Sequence, residues 1–291
     1  MPSVLGIVGS ARRNGNSEMM VRVALEGAVA SGAQTEILRL TDFDIKPCRG
    51  CLSCVLKDQD CPQGDDAEFV LRKLLAADAV VLGVPVYVLS PAGSVKMLLD
   101  RVLMAEHIAP GRSRSPRPAA AIVTLGRSDD WIGFSVPLLS STLLCAGFWI
   151  ADTLVAPAPG PGEILLERDV VERSRAIGRD LLSTERRFPS EDTRCPICLG
   201  EAFSLRGDGQ VECPICLVQG EVIGRRGEKA LIRFDADYPT RHRFVPHLME
   251  DHMHNWVRAS QPRFLARLDA IRQARAPFKD KPVDWVKPPA R

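Results

Sequence analysis

The alternation of short apolar runs with helical patterns over the first 155 residues constrains this fold more than any other feature of the sequence. Strands are predicted at Val4–Val8, Thr35–Leu38, Ala79–Val84, Ala119–Thr124 and Phe148–Val155. Helices are predicted at Glu18–Val29, Asp66–Ala76, Gly93–Met104, Ile132–Leu144 and Glu163–Leu182. Five strands joined by crossover helices predict a doubly wound α/β sheet.

The rest of the chain is predicted to fold separately, which divides the 291 residues into domains 1–188, 189–235 and 236–291. The last part holds predicted helices at Pro246–Arg258 and Pro262–Arg275. The chain from Gly224 to Arg291 carries 15 basic and 8 acidic residues. The whole chain has a net charge of only +2, which argues against a nucleic-acid partner. No apolar run reaches the roughly 20 residues of a membrane helix, and no signal peptide is visible, so we expect a cytoplasmic protein without a membrane partner.

A loop between the first strand and the first helix has the composition of a phosphate site. It reads Gly9-Ser10-Ala11-Arg12-Arg13-Asn14-Gly15-Asn16-Ser17. Backbone N–H groups, hydroxyls and a helix N-terminus converge at such a loop, and arginine adds charge-assisted bonds. The loop lacks the Gly-Lys-Ser/Thr ending of a P-loop and the G-x-G-x-x-G of a dinucleotide site. A generic polar turn is the alternative interpretation.

A second loop, Gly83 to Gly93, follows the third strand and contains Tyr87. In a sheet of order 2-1-3-4-5, the carboxyl ends of strands one and three border the ligand crevice, so both loops would face the same ligand. A phosphate at one loop and an aromatic-bearing loop at the other suit flavin mononucleotide (FMN). Tyr87 as an ordinary packed aromatic is the alternative.

These segments resemble the flavodoxin-like NAD(P)H-dependent FMN reductases over about residues 1–180. The resemblance is carried by Gly9-Ser10-Ala11-Arg12, Asn16-Ser17, Pro85-Val86-Tyr87, Lys96 and Asp100-Arg101. It implies a flavodoxin-like fold, FMN as cofactor and NAD(P)H as a possible electron donor. It also implies that the FMN phosphate is held by Ser10, Arg12, Asn16 and Ser17. The isoalloxazine ring would be lined by Pro85, Val86, Tyr87, Val88 and Ser90 and approached by the turn Leu125-Gly126-Arg127.

The first group of cysteines has the spacing C-x2-C-x2-C-x6-C, formed by Cys48, Cys51, Cys54 and Cys61. Close C-x2-C repeats place thiolates on one side of a tight loop, as a cubane cluster needs. The motif looks like that of the iron-sulfur flavoproteins, a branch of the same reductase family. This resemblance implies a 4Fe–4S cluster beside the FMN, in a homo-oligomer (dimer or tetramer) where the cluster lies near the neighbouring protomer's flavin. Redox-pairing or free thiols, and zinc, are the alternatives. Asp65 or Asp66 is expected to cap the next helix.

The second group forms two matching knuckles, Cys195-Pro-Ile-Cys198 and Cys213-Pro-Ile-Cys216, joined by a hairpin with the turn Arg206–Gly209. A strand is predicted at Ala230–Phe234. Four thiolates in this pattern predict a closed tetrahedral site that resembles a structural zinc ribbon. A rubredoxin-like iron site is the alternative.

The sequence therefore predicts an FMN-dependent oxidoreductase or electron-transfer flavoprotein, fed by a donor such as NAD(P)H or ferredoxin. Its reactive centre would be the flavin N5, and no side chain is assigned as a catalytic acid or base. A cluster-free NAD(P)H-dependent FMN or quinone reductase is one alternative. A redox-sensing or nucleic-acid-binding regulator that uses the zinc ribbon is the other. Arg112, Arg114 and Arg117 are expected to lie on a solvated flap.

Overall fold

The structure is a computed structural model that describes residues 1–111, 116–126 and 131–279. Residues 1–249 form one compact unit, and the described residues from Glu250 onward form a second. The predicted domain boundaries at 188 and 235 both fall inside the first unit. The candidate sites discussed below all lie in that unit.

A parallel sheet forms the centre of the first unit. Its strands are β1 (Ser3–Val8), β2 (Gln34–Arg39), β3 (Ala79–Tyr87), β4 (Ser90–Pro91), β5 (Arg117–Leu125) and β6 (Phe148–Pro157). The long strands pair in parallel in the order β2-β1-β3-β5-β6, and β4 pairs back onto β3 in antiparallel fashion. The predicted sheet order 2-1-3-4-5 is thus confirmed, because the predicted fourth and fifth strands are β5 and β6.

Seven helices accompany this sheet in the described residues. They are α1 (Asn16–Ala30), α2 (Ser53–Leu56), α3 (Ala67–Ala76), α4 (Gly93–Leu99), α5 (Ala105–Ile108), α6 (Ser135–Cys145) and α7 (Arg168–Asp180). Two predicted helices are shorter than expected. The first ends at Leu99 and is followed by a 3-10 turn at Val102–Met104. The second is divided into a 3-10 turn at Glu163–Leu166 and α7, because Glu167 leaves the helical backbone region.

The central strands β1, β3 and β5 are buried on both faces of the sheet, as their continuous apolar runs require. Leu5 and Ile7 of β1 belong to the core shared with α3, α4 and α6, whereas Val4 and Val8 belong to the core shared with α1 and α7. Helices α1 and α7 approach each other so closely that a Cβ at Gly178 would overlap the carbonyl oxygen of Ala24. The close approach of α1 and α7 therefore favours glycine at position 178.

A second, antiparallel sheet surrounds the second cysteine group. Its strands are β7 (Glu191–Asp192), β8 (Ser204–Leu205), β9 (Gln210–Glu212), β10 (Gln219–Arg226) and β11 (Lys229–Phe234), in the order β7-β11-β10-β9-β8. The predicted turn joins β8 to β9, and the predicted strand is β11, whereas β7 and β10 were not predicted. The Ser140 hydroxyl of α6 donates to the Cys198 carbonyl oxygen at 2.7 Å, which links this module to the first sheet's helical layer.

The remaining helices are α8 (Tyr238–Arg241), α9 (Pro246–Asp251), a π-helical segment (His252–Arg258), α10 (Ser260–Ala266) and α11 (Leu268–Lys279). The prediction of one continuous helix over Pro262–Arg275 is wrong, since the backbone of Arg267 leaves the helical region between α10 and α11. Within the described residues, no helix combines the length and the apolar character that crossing a bilayer requires.

The expected solvated flap does not include Arg117. This residue begins β5 and is buried, its guanidinium donates to the carbonyl oxygens of Leu75 (2.9 Å) and Ala77 (2.6 Å), and it stacks on the Phe148 ring. Buried backbone carbonyl groups need hydrogen-bond donors, and the Arg117 guanidinium supplies them here. Arg117 is therefore buried although it is charged. Arg112 and Arg114 lie outside the described residues.

Candidate functional site

Three loops meet at the carboxyl edge of the parallel sheet, where strands β1, β3 and β5 end. The Gly9 N–H after β1 donates to the Gly83 carbonyl oxygen of β3 at 2.9 Å. The Ser94 hydroxyl, just after the β3–β4 hairpin, donates to the Gly9 carbonyl oxygen at 2.9 Å. The Thr124 hydroxyl near the end of β5 lies 2.6 Å from the Ser17 hydroxyl at the start of α1. Loops that are distant in sequence thus form one contiguous edge.

The first loop presents backbone N–H groups beside two of the four residues assigned to the phosphate. No side chain of the described residues caps the N-terminus of α1, so its first-turn N–H groups are open to an anion. The Ser10 hydroxyl is buried next to them and accepts the Arg12 N–H at 3.2 Å, and the Arg12 side chain is exposed. This donor set fits a phosphate.

The other two predicted phosphate residues are engaged within the protein. The Asn16 side-chain amide donates to the Ala158 carbonyl oxygen at 2.8 Å and accepts the Ile164 N–H at 3.4 Å. Ser17 is buried, and its hydroxyl pairs with that of Thr124. In this structure both residues fix the loop against β5 and the segment after β6.

A buried ion pair that was not predicted supports the loop from behind. Arg39 of β2 contacts Glu18 at 2.6 Å and donates to the Ser10 carbonyl oxygen at 2.8 Å, while Glu18 accepts the Asn14 N–H at 2.7 Å. Burial acts to raise the pKa of Glu18, but the hydrogen bonds from Arg39 and Asn14 outweigh it, so the pKa is lowered. The charged Glu18 carboxylate therefore stabilises the backbone conformation of the loop.

The second loop is a strained hairpin tip. β3 and β4 are joined by Val88 and Leu89, both with a left-handed backbone (φ 48° and 62°). A two-residue turn of this kind favours Asn and Gly, and a β-branched residue in it is an outlier. Tyr87 and Val88 are exposed, Val88 at 89%. Pro85, Val86 and Ser90 are half-buried along the hairpin. Backbone strain of this type concentrates at ligand-binding sites.

The segment before α6 packs against this tip. The Phe134 N–H donates to the Leu89 carbonyl oxygen at 2.8 Å, and a Cβ at Gly133 would overlap the same oxygen. Trp131 and Phe134 are more than half exposed beside it. The hairpin tip and the segment before α6 thus carry four exposed apolar side chains, those of Tyr87, Val88, Trp131 and Phe134.

The third loop contributes backbone rather than side chains. Leu125 is buried, and its carbonyl oxygen accepts the Ala158 N–H at 2.8 Å. Gly126 is exposed, with open space where a Cβ would project. Arg127, the last residue of the predicted turn, lies outside the described residues.

The first cysteine group lines one cavity between the loop after β2 and the segment after α4. Cys48 and Cys51 are exposed at its surface, whereas Cys54 and Cys61 are half-buried. Burial, together with the neighbouring thiol groups, raises the pKa of Cys54. The Cys51 pKa is lowered by hydrogen bonds from Ser53. The exposed Cys51 and the half-buried Cys54 thus lie in different electrostatic environments of the same cavity.

A buried arginine at the end of α4 closes this cavity. The Arg101 guanidinium donates to Cys61 Sγ at 3.0 Å. It also donates to both carboxylate oxygens of Asp65, at 2.6 and 3.0 Å. Burial would raise the pKa of Asp65, but the bonds from Arg101 and the Lys46 N–H keep it lowered. Of the two predicted caps, Asp66 occupies the N-cap position of α3 without a side-chain capping bond, whereas Asp65 accepts the Ala67 N–H at 3.3 Å and binds mainly to Arg101.

The donor set of this cavity fits an iron-sulfur cluster. All four cysteines line this one cavity. A cubane cluster needs four thiolates around a common centre, one at each corner. The cationic Arg101 also favours an anionic sulfur assembly in the cavity.

The second cysteine group has the geometry of a single-ion site. The Sγ atoms of Cys195, Cys198, Cys213 and Cys216 are buried and lie within 4.8 Å of one another. The Cys198 and Cys213 sulfur atoms are 3.7 Å apart, close to the ~3.8 Å edge of a tetrahedron with Zn–S bonds of about 2.3 Å. Burial raises the pKa of Cys195 and Cys216, an energetic cost to thiolates that a bound cation offsets.

The two knuckles are built alike. In each, the N–H of the residue after the second cysteine donates to the first cysteine's carbonyl oxygen: Leu199 to Cys195 at 2.9 Å and Leu217 to Cys213 at 2.8 Å. Both leucines have a left-handed backbone. This repeated geometry points the four thiols at one centre, as the CPxC repeats predict.

Known proteins resemble this chain either over its N-terminal part or over nearly its whole length. The family described as NADPH-dependent FMN reductase matches residues 2–130. An iron-sulfur flavoprotein of Methanocaldococcus jannaschii is 41% identical over 98 residues, which cover 34% of this chain and 50% of that protein. A similar protein of Archaeoglobus fulgidus is 40% identical over 35% of this chain and 49% of its own length. The matched region thus spans about half the length of these relatives.

Likeness over the whole chain is seen with a solved flavone reductase, which has a TM-score of 0.75, 22% identity, and coverage of 98% of this chain and 100% of that one. At this identity it shows a shared fold, which includes the added module. The three loops at the carboxyl edge, up to Gly126, fall within residues 2–130. Residues 2–130, which carry all three loops, therefore match the family described as NADPH-dependent FMN reductase.

Proposed function

We propose that this chain is an FMN-dependent oxidoreductase whose flavin sits at the carboxyl edge of the parallel sheet. The observation that carries the proposal is the convergence of three strand-end loops around an uncapped helix N-terminus, inside the region that matches the reductase family. FMN supplies hydride acceptance and one-electron release at one centre. No side chain is needed as an acid or base for that step.

The roles of the residues follow from their positions. The phosphate would be held by the α1 N-terminus, Ser10 and Arg12, which present hydrogen-bond donors and positive charge. No side chain of the described residues caps the first-turn N–H groups of α1 in place of the phosphate. Asn16 and Ser17 would support this site through the bonds that fix the loop. The hairpin Pro85–Ser90 would line the ring, and its exposed tip would exclude water from one face.

The finer part of the proposal is a 4Fe–4S cluster held by Cys48, Cys51, Cys54 and Cys61 and coupled to the flavin. Helix α4 supports the coupling, because Ser94 at its start contacts the phosphate loop and Arg101 beyond its end contacts Cys61. Ser94 and Arg101 are only seven residues apart, so α4 links the two sites over a short stretch of chain. A cluster would accept electrons singly from the flavin. Zinc in the Cys195 group would be structural, since four thiolates leave no open coordination position.

A second candidate is a cluster-free reductase of flat aromatic substrates. A flavone synthase of Aspergillus candidus is 28% identical over 75% of this chain and 77% of its own length, a longer match than that of the iron-sulfur flavoproteins. The exposed aromatic residues Tyr87, Trp131 and Phe134 beside the hairpin would suit a planar ring.

Metal analysis with two cysteine variants separates the candidates. Anaerobically purified protein should show flavin absorption and about four irons with one zinc per chain. Cys54→Ser should lose the iron and keep the FMN. Cys145→Ala, which changes the cysteine that belongs to neither group, is the control and should keep both. Protein that binds FMN but takes up no iron would favour the cluster-free reductase, and protein that refuses FMN would end the proposal.

The electron donor and the oligomeric state are proposals as well. NAD(P)H is the donor we propose first, with ferredoxin as the alternative; steady NAD(P)H oxidation without an added protein would decide for the former. The exposed apolar side chains of Tyr87, Val88, Trp131 and Phe134 support a homo-oligomer, which sedimentation analysis would detect as a dimer or tetramer. Unpaired cysteines in both groups support a reducing, cytoplasmic location.

A further inference from the structure

Arg101 occupies an unusual position between two candidate cofactor sites. Arg101 follows the β3–β4 hairpin and α4 in the sequence, and Asp100-Arg101 is one of the segments that resemble the FMN reductases. Its side chain, however, contacts Cys61 of the first cysteine group. Its Nη1 donates to Asp65 Oδ2 (2.6 Å) and to the Lys46 carbonyl oxygen (2.9 Å). Its Nη2 donates to Asp65 Oδ1 and to Cys61 Sγ, each at 3.0 Å.

The Arg101–Asp65 pair is buried, with both side chains 1% exposed. A buried ion pair adds little net stability compared with apolar residues of the same volume, so stability alone is a weak reason for it. The guanidinium has five N–H donors, so some remain free for other acceptors after it binds one carboxylate. The bond to Cys61 Sγ uses one of them on a predicted cluster ligand.

We propose that Arg101 is a positioning residue that raises the reduction potential of the cluster held by the first cysteine group. The inference rests on the proposed function and deepens it. One-electron reduction adds a negative charge to the cluster and its sulfur ligands. A fixed positive charge with an N–H···S bond to Cys61 stabilises that charge more than it stabilises the oxidised form.

Asp65 has the opposite effect on the same site. Its carboxylate binds the guanidinium, so it offsets part of the positive charge. Removing this negative charge should therefore raise the potential. Removing both charges should lower it, because the guanidinium is the group in contact with Cys61. The single change at Asp65 and the double change at Arg101 and Asp65 should therefore shift the reduction potential in opposite directions. An ion pair that only stabilises the fold would not give this result.

The test is a redox titration of the iron-loaded protein, followed by absorbance and electron paramagnetic resonance. Arg101→Gln combined with Asp65→Asn should reduce the ratio of reduced to oxidised cluster at a fixed potential at least tenfold, which is 59 mV for a one-electron couple. Asp65→Asn alone should shift the ratio the other way. Arg101→Lys keeps the charge and should retain most of the wild-type value.

The matched control is the exposed pair Arg72–Glu68 on α3, whose Nε–Oε1 distance is 2.9 Å. Arg72→Gln with Glu68→Gln makes the same change in charge at the surface, where solvent screens it, and should leave the potential unchanged.

Each outcome has a separate meaning. A wild-type protein that takes up no iron overturns the cluster and this inference together. A wild-type cluster whose potential is the same in all Arg101 and Asp65 variants overturns only the inference. If every Arg101 and Asp65 variant, including Arg101→Lys, fails to hold iron while the Arg72 control holds it, the pair serves cluster retention, and the proposed effect on the potential is wrong.

Discussion

The strained hairpin tip offers a direct test of the flavin site through the change Val88→Asn. Val88 has φ 48° and is followed by Leu89 at 62°, so both central residues of the turn are left-handed. This conformation costs a residue with a Cβ about 1–2 kcal/mol, and Asn tolerates it better than a β-branched residue. Because the Val88 side chain is 89% exposed, its removal loses little packing in the free protein.

Stability and flavin affinity should therefore change in opposite directions. We expect FMN-free Val88→Asn protein to gain about 1 kcal/mol, which raises the melting temperature of a domain of this size by about 2–4 °C. We expect FMN binding to weaken by about 1 kcal/mol, or roughly fivefold in Kd, because an apolar side chain no longer covers part of the ring.

Calorimetry of the FMN-free protein and a flavin fluorescence titration measure the two effects. Val88→Thr is the matched control: it keeps the β-branch and hence the strain, but loses apolar character, so it should weaken binding without gaining stability. If Val88→Asn is no more stable than the wild type, the strain argument fails. If all three proteins bind FMN equally, the tip does not cover the flavin.

Three further predictions concern the framework of the first unit. Gly178→Ala should destabilise the protein by about 1–3 kcal/mol in urea unfolding, because the new Cβ overlaps the Ala24 carbonyl oxygen; an unchanged midpoint would contradict the close approach of α1 and α7. His242 is buried, and burial together with Arg186 lowers its pKa to about 4. The unfolded chain, with a His pKa of about 6.5, therefore binds the proton first as pH falls, and about 2 kcal/mol of stability should be lost between pH 7.5 and pH 5. His242→Gln keeps an acceptor for Arg186 and should show a flatter pH dependence; equal slopes for the two proteins would refute the assignment. Cys213→Ser should lose the single tightly held metal of the second cysteine group and lower the melting temperature, as metal analysis and calorimetry would show; retention of the metal would speak against a four-thiolate site.

The parallel sheet could be predicted because its signal is local. Central strands such as β1 and β3 are buried on both faces and read as unbroken apolar runs, and the residues that follow them necessarily lie at one edge of the sheet. The matching CPxC knuckles could be predicted for a similar reason, since a short repeat fixes the geometry of its own backbone.

Strand β10 was missed because its pattern is weak. Gly220 and Gly224 interrupt it, and polar residues occupy most of its other positions. The available signal was the two-residue connection Gly227-Glu228, in which Gly227 has the positive φ that a tight hairpin requires.

The charged contacts of the site could not be predicted because their partners are distant in sequence. Arg101 lies 36 residues from Asp65, and Arg117 reaches a carbonyl oxygen 42 residues away. A local pattern places such arginines on a helix or in a flap. Only the topology, which brings α4 beside the cysteine loop and β5 beside β3, gives them buried partners.

The same topology links the second cysteine group to the carboxyl edge of the parallel sheet. The Ser140 hydroxyl of α6 holds the Cys198 carbonyl oxygen, and a cavity of about 580 Å³ is lined by Leu199 and Glu201 of the module and by Gly133 before α6. Gly133 in turn abuts the Leu89 carbonyl oxygen at the hairpin tip. A metal bound by the Cys198 knuckle would therefore also support one wall beside the proposed flavin site, and its removal should alter the shape of that edge as well as the stability of the module.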